Sequence, residues 1–172
     1  FNKAIIKYEF VIQHQRRDDL AVYRKLADIY LVLGAHDKSL KLLEYIHEHD
    51  ASSIALAMEI GDLYQQHFSN HARALDYYTY AKTAFKKELS AIYGDAFELV
   101  VDPTTLNPAY FEIFKKRAHE NMVLKNYREA IKDCNWAIYL KQEAMEMYHI
   151  RGNAFLSTGN KIRACDQWKK AL

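Results

Sequence analysis

An internal repeat narrows the folding options more than any other feature of the sequence. Ala27 and Gly61 are separated by the same interval as Ala118 and Gly152, about 34 residues. The same local spacing surrounds each of them: Tyr23, Leu26, Ala27, Tyr30; then Ala57, Ile60, Gly61, Tyr64; then Phe114, Arg117, Ala118, Asn121; then Tyr148, Arg151, Gly152, Phe155. Residues at x, x+3, x+4 and x+7 share one face of an α-helix. A second pattern follows later in each unit: Ser39, Leu43, Ile46; Ala74, Tyr78, Ala81; Ala130, Cys134, Ala137; Ala164, Trp168, Ala171. A partial copy, Ala4, Tyr8, Val11, opens the chain. Antiparallel helices approach closely only where one side presents a small residue. Ala27, Gly61, Ala118 and Gly152 supply that gap on the first helix, and Ala74, Ala130 and Ala164 on the second. Large aromatic side chains then fill the space between neighbouring pairs.

This unit of aromatic, Leu, Gly, Tyr, then Ala, aromatic, Ala resembles the tetratricopeptide repeat. The fullest copy runs from Tyr148 to Phe155, through Gly159 and Asn160, to Ala164, Trp168 and Ala171. The copy at Phe111–Ala144 is nearly as complete, and together the copies cover about 150 of the 172 residues. Departures exist. Ala51 and Gln142 stand where the family has Pro, Ser39 replaces a small Ala, and Arg117 and Arg151 replace Leu. The resemblance implies an all-α fold, a right-handed superhelical solenoid of antiparallel helix pairs.

About nine helices are expected. A lone helix covers 3–16. Pairs follow at 20–33 with 37–49, 53–67 with 71–100, 108–123 with 127–141, and 144–158 with 161–172. As units, 1–19 is the second helix of a truncated repeat, 20–53, 54–88 and 111–144 are full repeats, and 145–172 is a repeat truncated at its end. Residues 89–110 form an extended helix and linker. The step from Gly61 to Ala118 is much longer than one period, and nearly all of the excess falls in that insert. Leu75, Tyr78, Lys82, Phe85, Leu89, Ile92, Ala96 and Leu99 keep a helical spacing, apolar except at Lys82, so the helix is expected to run to Val100, kinked at Gly94. The alternative is a short extended piece at 97–101. Asp102-Pro103 stops the helix, and Asn107-Pro108 starts the next with an N-cap and a first-turn proline. Both ends of the sequence fall inside the pattern. Since repeat arrays need polar caps, further chain or a partner is expected to cover them.

Composition trims the functional classes. Half the residues are hydrophobic and 27% are charged, which suits a folded chain. Lys plus Arg is 24 against 22 for Asp plus Glu, a net charge of +2, which argues against nucleic-acid or membrane-surface binding. RNA binding by a related helical-hairpin array of similar period is disfavoured on the same ground. No apolar run approaches the roughly 18 residues of a membrane span. Cys134 and Cys165 are expected to be buried, reduced thiols, in keeping with an intracellular, cytoplasmic protein. The sequence holds no Gly-rich phosphate loop, HExxH or nucleophile elbow, so neither a cofactor nor a catalytic role is expected. His47-Glu48-His49-Asp50 is read as a solvated helix end, His67 and His71 as separated by a turn, and Tyr77, Tyr78 and Tyr80 as packing residues.

In proteins of the resembled family the first helices line a concave groove. Carried over, that places Arg24, Lys25 and Asp28; Met58, Glu59, Asp62 and Gln65; Lys115, Lys116, His119 and Met122; and Glu146, His149 and Asn153 in the groove. The stripe changes sign from unit to unit, which suits a protein partner or an extended peptide of mixed charge. One subset of the family clamps the C-terminal carboxylates of chaperones. Lys115 matches that clamp, but His119 and Ile150 stand at its Asn positions, Asp28 follows Arg24, and Glu59 takes an Arg position. Chaperone-tail capture is therefore disfavoured. The expected function is a non-catalytic protein–protein interaction scaffold within a larger complex; the alternative is a regulatory or substrate-recruiting domain of an enzyme whose catalytic part lies elsewhere.

Overall fold

A computed structural model describes residues 1–14 and 19–172. Among these residues there are ten α-helices and no strand. They are α1 Asn2–His14, α2 Leu20–Val32, α3 His36–His49, α4 Ile54–Phe68, α5 His71–Tyr93, α6 Phe97–Val100, α7 Ala109–Val123, α8 Tyr127–Leu140, α9 Met145–Ser157 and α10 Lys161–Lys170, with one 3-10 turn at Pro103–Thr105. Residues 15 and 16 of the expected first helix lie outside the described residues.

Local chemistry sets the ends of the helices. The side chains of Asp19, Ser53, Asn70 and Asn160 accept from Ala21, Leu56, Arg73 and Arg163 backbone N–H groups, satisfying first-turn donors of α2, α4, α5 and α10. Gly34 (φ +72°) and Gly159 (φ +83°) turn the chain between α2 and α3 and between α9 and α10. Lys125 takes the equivalent left-handed position between α7 and α8, at φ +61°. These short turns make sequence neighbours antiparallel. α2 packs on α3, α4 on α5, α7 on α8 and α9 on α10; successive pairs meet through α3 and α4, α5 and α7, and α8 and α9. The result is an all-α solenoid.

The small residues sit where the helices touch. A Cβ on Gly61 would stand 2.7 Å from Tyr78 Cδ1, and one on Gly152 would stand 2.5 Å from Trp168 Cδ1. Where the first helix has Ala27 or Ala118 instead, the second offers Leu43 or Cys134, all four fully buried. The volumes at this contact thus trade off against one another. One core cluster gathers around Leu43, Ile60 and Tyr77, and another around Phe85, Phe114 and Met147.

The insert departs from expectation. α5 does not run on to Val100: it ends at Tyr93, where Gly94 takes φ +80°. After that turn α6 forms a separate helical turn rather than an extended piece, which makes ten helices rather than nine. Burial supplies the reason. Phe97 is 4% exposed and stands edge-on to Phe85 and tilted against Trp136. A straight α5 would carry Phe97 past that core instead of back onto it. Tyr139 Oη donates to Val101 O at 2.7 Å, and Lys86 Nζ lies 3.2 Å from Glu98 Oε1, so the segment is tied to α8 and α5. Downstream, Pro108 sits at the N-cap of α7 rather than inside its first turn, while Asn107 Oδ1 accepts from Ala109 N at 2.9 Å.

Candidate partner-binding face

The first helices α2, α4, α7 and α9 carry all the residues assigned to the groove, and most of these bond to one another. Arg24 makes a two-pronged contact with Glu59, at 2.6 and 3.0 Å, and also reaches Asp28 at 2.9 Å. Lys116 Nζ holds both oxygens of Asp62, at 2.5 and 2.6 Å. Gln65 Nε2 donates to Glu120 Oε1 at 2.6 Å. Lys115 and His119 both reach Glu146, at 3.0 and 2.9 Å. Asn153 Oδ1 accepts from Trp168 Nε1 at 3.2 Å. Lys25 and His149 are exposed on α2 and α9.

These bonds run α2 to α4, α4 to α7, and α7 to α9, so they form a seam along consecutive units. The change of sign from unit to unit, which suits a mixed-charge ligand, is used here between neighbouring helices. The protonation energetics agree. Hydrogen bonding to Glu59 raises the Arg24 guanidinium pKa, and the bond to Glu146 raises that of Lys115. Partial burial pushes the Glu146 carboxyl upward, but Lys115 and His119 outweigh it and hold it below its ordinary value. The rungs are partly exposed, so each contributes about 0–1 kcal/mol and chiefly sets the register of the units.

Several polar residues at the unit junctions were not singled out by spacing. Glu120 is fully buried, and His71 Nδ1 lies 2.7 Å from it on the side away from Gln65. Glu44 accepts from Tyr64 and Tyr77 hydroxyls at 2.6 and 2.9 Å and from Arg73 at 3.2 Å. Asp133, also buried, accepts from Arg117 Nε at 3.1 Å and from Asn121 at 2.8 Å, with Lys82 Nζ at 3.6 Å. The signals were Lys82, the one polar residue in an apolar series, and Arg117, standing where Leu was expected. Glu112 lines the same face, beside Glu59, Asp62 and Lys116.

Other expectations need correction. His47 is not a solvated helix end: it is 6% exposed and edge-on to Tyr77 and Tyr80, and neither ring nitrogen has a hydrogen-bond partner among the described residues. Burial lowers its pKa. Cys134 is buried, which pushes its thiol up to about 12, but Cys165 is exposed, because it faces away from the contact made by Ala164 and Trp168. His67 stacks on His36 with ring centroids 3.5 Å apart, while His71 turns towards Glu120. Tyr77 and Tyr78 are buried and Tyr80 is half exposed against His47. No group of three or more His, Cys, Asp or Glu among the described residues is arranged to hold a metal ion. No helix among them is long and apolar enough to cross a membrane.

No family model matches the sequence, and neither does any curated protein. Solved structures do match. A crystal structure of MamA superposes with a TM-score of 0.69 at 18% identity, covering 98% of this chain and 79% of that one. MamA AMB-1 gives 0.70 at 18% identity, with 99% and 86% covered. A double mutant of MamA RS-1 gives 0.67 at 10% identity, with 99% and 82% covered. Similarity in shape at such low identity speaks to architecture: this chain shares with MamA an all-α solenoid of stacked helix pairs.

Proposed function

We propose that this chain is a non-catalytic protein–protein interaction scaffold, a tetratricopeptide segment of a larger assembly. It holds a partner peptide or subunit along the face made by α2, α4, α7 and α9. The observation that carries this reading is the seam itself: polar side chains of four successive first helices meet rung to rung, which makes one continuous surface across the array. Arg24, Lys25, Asp28, Glu59, Asp62, Gln65, Lys115, Lys116, His119, His149 and Asn153 are the proposed contact residues. The free thiols Cys134 and Cys165 support an intracellular setting. A chaperone tail ending in Glu-Glu-Val-Asp is not the expected ligand, because Glu146 occupies Lys115 and Glu59 occupies Arg24.

Co-purification followed by mass spectrometry tests this reading. The parent is compared with a Lys115→Glu, Lys116→Glu variant whose folding is checked by its helical circular dichroism. Loss of one specific partner is the expected result. If every partner is retained, docking moves to the opposite side or to residues 89–110.

A further inference from the structure

The face is not uniform. Between α4 and α7 it opens into a cleft of about 610 Å³. Its floor is apolar: Ile54, Ala55 and Met58 from α4, and Tyr110 from α7. Ile54, Met58 and Tyr110 also pack against the Phe85 cluster, so the floor rests on core. Four carboxylates stand around it, Glu59, Asp62, Glu88 and Glu112, against one lysine, Lys116. Lys116 is taken up by Asp62, and Glu59 is taken up by Arg24. Among the described residues no Lys or Arg forms an ion pair with Glu88 or Glu112. Glu88 meets the neutral Tyr110 hydroxyl, and Lys115, which feels the charge of Glu112, is itself held by Glu146.

The cleft owes part of its wall to the insert. Asn107, Ala109 and Tyr110 belong to the segment 89–110 that breaks the repeat period, and Glu88 lies on the last turns of the lengthened α5. The α4 residues that line it, from Ile54 to Asp62, span roughly 12 Å of helix, about four residues of extended chain.

We propose that this cleft takes an extended peptide whose apolar side chain enters between α4 and α7 while flanking Lys or Arg residues face Glu88 and Glu112. The inference rests on the docking-face reading above and adds the chemistry of the occupant. An apolar floor rewards a buried side chain. Two rim carboxylates, Glu88 and Glu112, that no cation among the described residues holds attract basic residues and repel acidic ones, which gives selectivity as well as attraction. The same rim disfavours a nucleic-acid backbone in this cleft.

The test uses fluorescence polarisation with a labelled, end-blocked peptide, Lys-Arg-Leu-Tyr-Leu-Arg-Lys. Two comparators share its length: Glu-Asp-Leu-Tyr-Leu-Asp-Glu, with the charge reversed, and Lys-Arg-Ser-Gly-Ser-Arg-Lys, without the apolar centre. The first peptide should bind, and both comparators should bind at least about tenfold more weakly. A Glu88→Lys, Glu112→Lys variant, which leaves the ion-pair seam intact, should lose about tenfold or more for the first peptide while keeping the parent's melting temperature. Equal binding of all three peptides, no binding of the first, or full affinity in the charge-reversed variant would overturn the proposal. The two readings fail separately. If the basic peptide does not bind but Lys115→Glu, Lys116→Glu still sheds a partner, the docking face stands and only this occupant is lost.

Discussion

The pairs α7/α8 and α9/α10 are copies of one another, one period apart, yet they solve three matched problems differently. At the helix contact, α7/α8 uses Ala118 with Cys134, whereas α9/α10 uses Gly152 with Trp168. At the turn, Lys125 bears a left-handed φ that Gly159 adopts without a side-chain clash. At the position where Leu was expected, both have arginine. Arg117 meets the carboxylate of Asp133, while Arg151 meets the neutral amide of Gln167, with Nε 3.0 Å from Oε1. Each arginine also reaches back to the preceding pair, Arg117 to Thr79 at 2.6 Å and Arg151 to Asn135 at 2.7 Å. Burial lowers the Arg151 pKa where no carboxylate counters it. The repeat therefore conserves positions and roles rather than residues: a small-to-large volume match, a left-handed turn and a tie to the preceding unit.

The ionic difference predicts the largest effect. Asp133→Ala leaves Arg117 and Lys82 facing each other in the interior, and should cost about 3–5 kcal/mol in urea unfolding. Gln167→Ala, at the matched place, removes only a part-exposed neutral acceptor and should cost about 1 kcal/mol or less. Equal losses would mean that the two arginines are equivalent after all. Next comes packing. Gly152→Leu drives a side chain into the Trp168 ring and should cost about 1–3 kcal/mol. Gly152→Ala with Trp168→Cys rebuilds the α7/α8 contact and should recover most of that, as read by melting temperature. The turn gives a smaller effect. Lys125→Gly relieves a left-handed side chain and should gain up to about 1 kcal/mol, whereas Gly159→Lys should lose a similar amount. A gain from both substitutions would show that the turns are not equivalent.

The mildest expectation widens the comparison to α3, where the buried His47 ring finds no hydrogen-bond partner among the described residues. His47 has a folded-state pKa below its ordinary value of 6.5, because burial disfavours the charged ring. Its neutral form is therefore fully compatible with folding above pH 6.5. As pH falls through that value the unfolded chain takes up a proton that the folded chain refuses, and stability declines until the folded pKa is reached. A His47→Phe variant should show a flatter fall in melting temperature between pH 7.5 and 5.5 than the parent. Parallel curves would mean that His47 titrates normally.

The parts of the fold that spacing revealed are those decided within one hairpin. The helix pairs and the small residue facing each aromatic contact, Gly61 against Tyr78 and Gly152 against Trp168, depend on neighbours in the same hairpin. What spacing missed depends on the next unit. α5 ends at Tyr93 because Phe97 finds Trp136 on α8. His47 is buried because Tyr77 and Tyr80 come from the following hairpin. The first-helix residues were identified by position, but their pairing was not, because Arg24 and Glu59 lie 35 residues apart and Asp62 and Lys116 lie 54 apart, across the insert. The acidic cleft was invisible for the same reason: Glu88 closes one unit, Glu112 belongs to the next, and Asn107 comes from the insert between them.

The seam of ion pairs has a mechanical side. Each rung ties one hairpin only to the next, so the polar couplings along the array are between nearest neighbours. Raising the ionic strength slackens every joint a little while the apolar contacts beneath stay closed. Dissolved salt thus acts on the joints between hairpins, as grit acts on the pins of a bicycle chain, and leaves the links themselves untouched.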